Sequence, residues 1–369
     1  MNKLITVDCD IWTYLQNCGK KIVMYGMGNG ADKILAECDK RNIYVDDFFA
    51  SDGFVRGHMF HGKPVLSYSQ IKEKYSDFVV LLSFASSLED VIAKIDAIAD
   101  ETELLVPDVP VFGNTLFDMA FCKAHMDELY EVCELFEDEV SKEVYKNVIN
   151  AKLSGKIPFL KASVCEKEGV YRDILHPAKY ECYADLGAYN GDSIREVAEY
   201  AKNLKNVYAL EPDRRSYKKL CDYATGEDRF NISCENFAAW KCSETLYFDA
   251  SGNRNSNVSG SLSTLSGKKA AEIAGKALDD IIPSSTIVDY IKYDVEGAEE
   301  DALIGSLKTI KRSSPDMLIS LYHRSEDIIK LPKLIKSLDM GDYRLYLRRF
   351  NYYPAWDLNL YAISKRFSE

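Results

Sequence analysis

Four short stretches of this 369-residue chain carry residues that can do chemistry: YADLGAYNGDS (183–193), LEPD (210–213), IKYDVEGAE (291–299) and ISLYH (319–323). In the first, Gly187 and Gly191 let the backbone turn tightly and approach a ligand closely. Asp192 or Ser193 can cap the helix that follows. Asp185 ends the strand before this loop, where an acid can serve a cationic or amine-bearing ligand rather than a pyrophosphate. Glu211 ends the next strand, and Pro212 stops it. That is where a strand-end acid meets the ribose hydroxyls of a bound nucleoside. Taken together, these residues favour S-adenosylmethionine, with its sulfonium and free amino acid, over NAD.

The third stretch delivers Asp294 and Glu296 to the carboxyl end of a strand, the edge at which open α/β sheets bind ligands. His323 ends a later strand after the apolar run ISLY. Each could act as a base. Asp294 could equally contact only the cofactor, and His323 could be a packed histidine at a strand end. The trio could also form a carboxylate–imidazole metal site. No tight spacing demands it, and no metal is expected.

These residues need a frame. From about 170 to the end, strand and helix patterns alternate, which implies a parallel sheet with right-handed crossovers. YRLYLRRF and LNLYAISK read as a closing hairpin. A Gly-, Ser- and Asn-rich insert around 249–277 reads as strand plus loop, a candidate lid over the substrate. Residues 20–112 show a second, shorter α/β alternation. Between the two, Leu129, Val132, Phe136, Val140, Val144 and Val148 recur at helical spacing, and Gly155 and Pro158 are expected to end that helix.

In order and spacing, the motifs YADLGAYNGDS, LEPD, ALDDII, IKYDVEGAE and ISLYH resemble the FkbM-type methyltransferases across roughly 170–365. The resemblance implies a class I methyltransferase fold, S-adenosylmethionine as donor, and O-methylation of hydroxyls on sugars or polyketide-like molecules. Carried over by position, the loop of Asp185, Gly187, Ala188, Asn190 and Gly191 would line the methionine part of the donor. Glu211 and Pro212 would hold the ribose, Asn236 and Phe237 would lie near the adenine, and Asp294 would reach the donor from the third strand end. Asp294, Glu296 and His323 are the catalytic candidates. Methyl transfer from a sulfonium is an in-line displacement helped mainly by positioning, and a nearby base would help a weakly nucleophilic sugar hydroxyl.

An earlier loop, YGMGNGADK, sets Gly26, Gly28 and Gly30 after a strand. Such a pattern alone is a weak sign of nucleotide binding, and the acids that might hold a ribose, Asp46 and Asp52, are not cleanly placed. The segment loosely resembles the small Rossmann-like modules ahead of some sugar-modifying enzymes. A packing or dimerisation role without ligand is the competing reading, since fold alone does not give function. His58 and His61 lie in a glycine-flanked turn and read as plain loop. Near the final turn, Tyr352, Tyr353 and Trp356 are the aromatics most available to a substrate.

The expected architecture is α/β throughout: a smaller Rossmann-like N-terminal domain (1–113), a helical connector (114–165) and a class I methyltransferase domain (166–369). A net charge of −12 offers no general attraction for nucleic acid or anionic lipid, so a small-molecule or glycan partner fits better. Ten cysteines without a CxxC pair suggest reduced thiols, and no apolar run is long enough to span a bilayer. A cytoplasmic location is expected, with a homodimer left open. Two rival functions stand beside the methyltransferase: a nicotinamide-dependent oxidoreductase working from the first loop, and a non-catalytic nucleotide- or sugar-binding protein.

Overall fold

The computed structural model describes residues 3–51, 53, 55, 57–249, 258–259, 270–337 and 342–365. Most of the insert around 249–277, and Asp52, lie outside the described residues. Buried β-rich runs form a first sheet: β1 (Lys21–Tyr25), β2 (Asp47–Ala50), β3 (Met59–Phe60), β4 (Lys63–Ser67), β5 (Phe78–Leu82) and β6 (Glu103–Leu105). Their order is β3-β4-β2-β1-β5-β6, parallel except for β3.

A second sheet uses β7 (Cys182–Leu186), β8 (Asn206–Leu210) and β9 (Asn231–Glu235). Beside it, β10 (Ala238–Ala239), β11 (Glu244–Asp249), β12 (Val258–Ser259) and β13 (Ala270–Lys276) make a small separate sheet. Then β14 (Tyr290–Tyr293), β15 (Asp316–Ser320), β16 (Tyr343–Arg349) and β17 (Leu358–Ser364) complete the seven-stranded order β16-β17-β15-β14-β7-β8-β9. β17 alone runs antiparallel to the rest, and it forms the expected hairpin with β16. All five residues of β5 and of β7 are buried, as parallel strands covered on both faces require. The strand order reverses at β7 and β14, with β8 and β9 to one side and β15 to the other. That opens a crevice at the carboxyl ends of the strands.

The connecting region is four helices rather than one: Met119–Ala124, Met126–Leu135, Glu139–Ser154 and Ile157–Ala162. Gly155 does end the third, at a left-handed φ of 67°. Pro158 does not mark a stop. It lies in the first turn of the next helix, where its missing N–H costs nothing. One apolar core runs from Val23 and Val80 of the first sheet, through Leu129, Tyr145 and Val148 of these helices, to Ile291, Leu345 and Leu360 of the second.

Candidate active site

A cavity of about 630 Å³ lies at the β7/β14 switch point. Gly187, Asp192, Ser193, Glu211 and Pro212 line one side, and Asp294 and Glu296 line the floor. Gly187 adopts φ +84° and has no room for a side chain against the Asp294 backbone. Gly191, at φ +83°, gives its space to the Tyr223 ring. Both glycines are therefore required by close approach as well as by dihedral angle.

Glu211 is buried, and its two carboxylate oxygens accept the backbone N–H groups of Tyr189 and Asp213, each at 2.7 Å. Burial nevertheless pushes its carboxyl up to about 8, against the pull of those two donors. Asp185 does not line the cavity. It is fully buried one layer behind, across from Lys292 in the β7/β14 register. Burial raises its carboxyl to about 6, with Lys292 pulling the other way.

Lys292 Nζ stands 3.4 Å from both Asp185 and Asp294. Burial opposes its charge, but the two carboxylates outweigh it and hold the ammonium above its ordinary range. Burial likewise opposes the Asp294 anion, yet Lys292, His323 and the Ser320 hydroxyl keep this carboxyl below its usual value. Ser320 Oγ and Tyr322 Oη donate to Asp294 Oδ1 at 3.0 and 3.2 Å. Glu296 sits in the left-handed region at φ 56°, a conformation that a non-glycine residue adopts at a cost and that clusters at functional sites. Burial pushes its carboxyl up to about 7 against the attraction of His323.

His323 is buried behind Asp294 and Glu296 and does not line the cavity. Its Nδ1 is 2.8 Å from Glu299 Oε1. Burial alone would lower its pKa, but Glu299, Glu296 and Asp294 raise it to about 10.

The remaining sequence candidates stand off the cavity. Ala188 is buried, with its N–H on the Leu210 carbonyl. Asn190 Oδ1 is buried and has no partner among the described residues. Asn236 donates to the carbonyls of Glu211 and Pro212 at 2.8 and 3.1 Å, fastening two strand ends together. The Phe237 ring lies 3.8 Å under Lys276 Nζ, and the neighbouring Ala238 and Ala239 line the cavity instead.

Sequence reasoning passed over Lys292 and Glu299. A lysine inside the apolar strand IKYD was the available signal for the first. Glu299 is one acid among several at a helix start and carried none. The far wall holds Tyr322, Trp356 and Tyr352, with successive ring centroids 6.1 and 5.8 Å apart. Tyr353 is not available to a substrate, being fully buried with its hydroxyl 3.1 Å from Asp96. Ser87 and Val111, from the N-terminal part of the chain, reach the same cavity.

Two of the three glycines of the first loop, Gly26 and Gly30, are set by packing. A side chain at Gly26 would strike Ser83 and Phe84, and one at Gly30 would strike the Ser83 backbone. Asp46 is engaged by Lys21 and the Ile22 N–H. His61 bonds Asp32 at 2.8 Å.

An open α/β sheet with a glycine turn, a ribose-type acid and an acidic floor at its switch point defines a Rossmann-like methyltransferase of class I. Residues 185–353 match the methyltransferase FkbM domain. Over those residues the chain carries an FkbM-type methyltransferase domain. It is similar to the crystal structure of methyltransferase FkbM from Methylobacillus flagellatus KT, at 20% identity and TM-score 0.71, over 98% of this chain and 95% of that one. At that identity the likeness speaks for the fold, and it spans both large sheets. An rRNA methylase from Streptococcus thermophilus matches at 12% identity and TM-score 0.36, over 55% of this chain and 98% of that one. No match is found among curated proteins. Among the described residues, no helix is long and apolar enough to cross a membrane.

Proposed function

We propose that this protein methylates a hydroxyl group of a small-molecule or glycan acceptor, a sugar hydroxyl in the first instance, with S-adenosylmethionine as donor. The observation that carries the donor is Glu211. Its two oxygens are anchored by backbone N–H groups and keep lone pairs free toward the cavity for a pair of ribose hydroxyls. Gly187 lets the loop after β7 pack directly against the Asp294 backbone, and the acidic floor suits a sulfonium and an ammonium. When bound, S-adenosylmethionine supplies an electrophilic methyl group.

The chain's own part is positioning. Asp294, fixed by Lys292, Ser320 and Tyr322, orients what reaches the floor. Glu296 lines the cavity and is the nearest group able to take the acceptor proton, with His323 behind it. Tyr322, Trp356 and Tyr352 offer flat faces on which a sugar ring can lie.

The division into 1–113, 114–165 and 166–369 belongs to the same proposal. The first unit supplies part of the acceptor wall through Ser87 and Val111. The ten unpaired cysteines fit a reducing cytoplasm.

Calorimetry of the full chain with S-adenosylmethionine, S-adenosylhomocysteine and NAD tests this reading. Saturable binding of the two adenosyl compounds and indifference to NAD is the expected result. Binding of NAD alone would overturn it.

A further inference from the structure

We propose that Asp294, Glu296 and His323 hold a divalent cation at the floor of the cavity, with Glu299 orienting the imidazole from behind. The inference rests on the methyltransferase reading only for its consequence, since the site itself follows from the side chains.

The argument begins at Glu299. Its side chain is 1% exposed, and its Oε1 faces three nitrogens: Val295 N at 3.0 Å, Gly297 N at 3.4 Å and His323 Nδ1 at 2.8 Å. An oxygen so placed acts as an acceptor, so the proton of that last contact belongs to Nδ1. The imidazole is thereby turned so that Nε2 faces Asp294 and Glu296, and a cation bound there takes the place of the Nε2 proton. A carboxylate on one ring nitrogen with the other nitrogen aimed at a cation is the arrangement that fixes histidine ligands in metal sites.

Nε2 itself is buried and makes no hydrogen bond among the described residues. It stands 3.7 Å from Asp294 Oδ1 and 3.5 Å from Glu296 Oε2. Both distances are too long for a hydrogen bond. They suit atoms sharing an ion, because ligands about 2.1 Å from a divalent cation stand roughly 3 to 3.5 Å from one another.

Three further features agree. The Asp294 carboxylate is braced by the Ser320 and Tyr322 hydroxyls, as ligating carboxylates are. The left-handed backbone at Glu296 belongs to a turn whose flanking N–H groups, those of Val295 and Gly297, both converge on Glu299. Phe112 closes the back of the cluster, with its ring centroid 5.9 Å from that of His323.

One imidazole and two carboxylates favour manganese, iron, cobalt or zinc over calcium or magnesium. Asp294 and Glu296 open onto the cavity, so positions remain for water or an acceptor oxygen. A cation there would hold the acceptor hydroxyl and make it more acidic. Asp294 and Glu296 would then serve as ligands, each through one oxygen, and the proton of the acceptor hydroxyl would pass to the second oxygen of Glu296.

The test is a titration of chelator-treated full-length protein with manganese chloride alone, read by the loss of the free-ion paramagnetic resonance signal. We expect one ion per chain, removed by EDTA. His323→Ala and Glu296→Gln should each weaken binding at least tenfold, and Glu299→Gln severalfold. Glu296→Gln is nearly isosteric and serves if the histidine variant fails to fold. Calorimetry with S-adenosylhomocysteine on the same samples reports the donor site separately. Absence of saturable manganese binding in the wild-type protein overturns the cation site, as does equal binding in the wild-type, Glu296→Gln and Glu299→Gln proteins. Retained donor binding in either case leaves the methyltransferase reading intact.

Discussion

The carbonyl oxygen of Asp294 occupies the space that a Cβ on Gly187 would need. The glycine turn after β7 and the acidic turn after β14 are thus in direct contact, and the donor loop is shaped by the strand that bears the acids. Gly187→Ala must relieve both this clash and a φ of +84°. We expect a loss of at least about 2 kcal/mol of stability and no measurable donor binding. A thermal melt and calorimetry with S-adenosylhomocysteine check both.

If Glu211 receives the ribose hydroxyls as proposed, donor binding should depend on pH. Hydroxyl donors of a ribose are best received by the ionised carboxylate, and burial lifts this group to about 8. Below that value the site must lose a proton to bind, so affinity for S-adenosylhomocysteine should climb as pH rises from 6 through 8 and level off above. Glu211→Gln should remove the slope, and Glu211→Ala should lower affinity roughly 10- to 100-fold. A wild-type affinity that stays flat across that range would contradict the assignment.

Lys292 is the cation between the fully buried carboxylate of Asp185 and the cavity-facing carboxylate of Asp294. Replacing it with methionine leaves Asp185 and Asp294 facing each other without compensation, which should cost about 3–5 kcal/mol. The double variant Asp185→Asn/Lys292→Met should recover part of that loss, because one of the stranded charges is gone. Denaturant melts of the two single variants and the double variant measure the coupling.

The aromatic wall should act on the acceptor and not on the donor. Trp356 stacks on Tyr322 and lies tilted against Tyr352, and its loop is pinned by two backbone bonds between Ser86 and Tyr353, at 2.8 and 3.0 Å. Trp356→Ala should raise KM for a methylated acceptor severalfold while leaving S-adenosylhomocysteine affinity unchanged. A matching loss of donor affinity would place the ring on the wrong side of the cavity.

Much of this was legible in the chain itself. Apolar runs ending in Asp185, Glu211 and Asp294 are local patterns, and a glycine turn after a buried strand has few conformational alternatives. They fixed the α/β class, the strand ends and the two-sheet plan, because strand periodicity and turn chemistry act over a few neighbouring residues. The closing hairpin was legible for the same reason.

The tertiary structure decided what depends on register and on the packing of distant segments. Only the pairing of β7 with β14 sets Lys292 against Asp185, which moves Asp185 from the cavity wall to the layer behind it. Only the meeting of the β14 turn with the end of β15 brings Glu299 to His323, 24 residues apart in sequence. The glycines at 26 and 30 looked like those at 187 and 191, because a glycine pattern records that a backbone comes close. Whether it comes close to Ser83, as at Gly26 and Gly30, or to the Asp294 backbone and the Tyr223 ring beside the cavity, as at Gly187 and Gly191, is settled by neighbouring segments, which no local pattern contains.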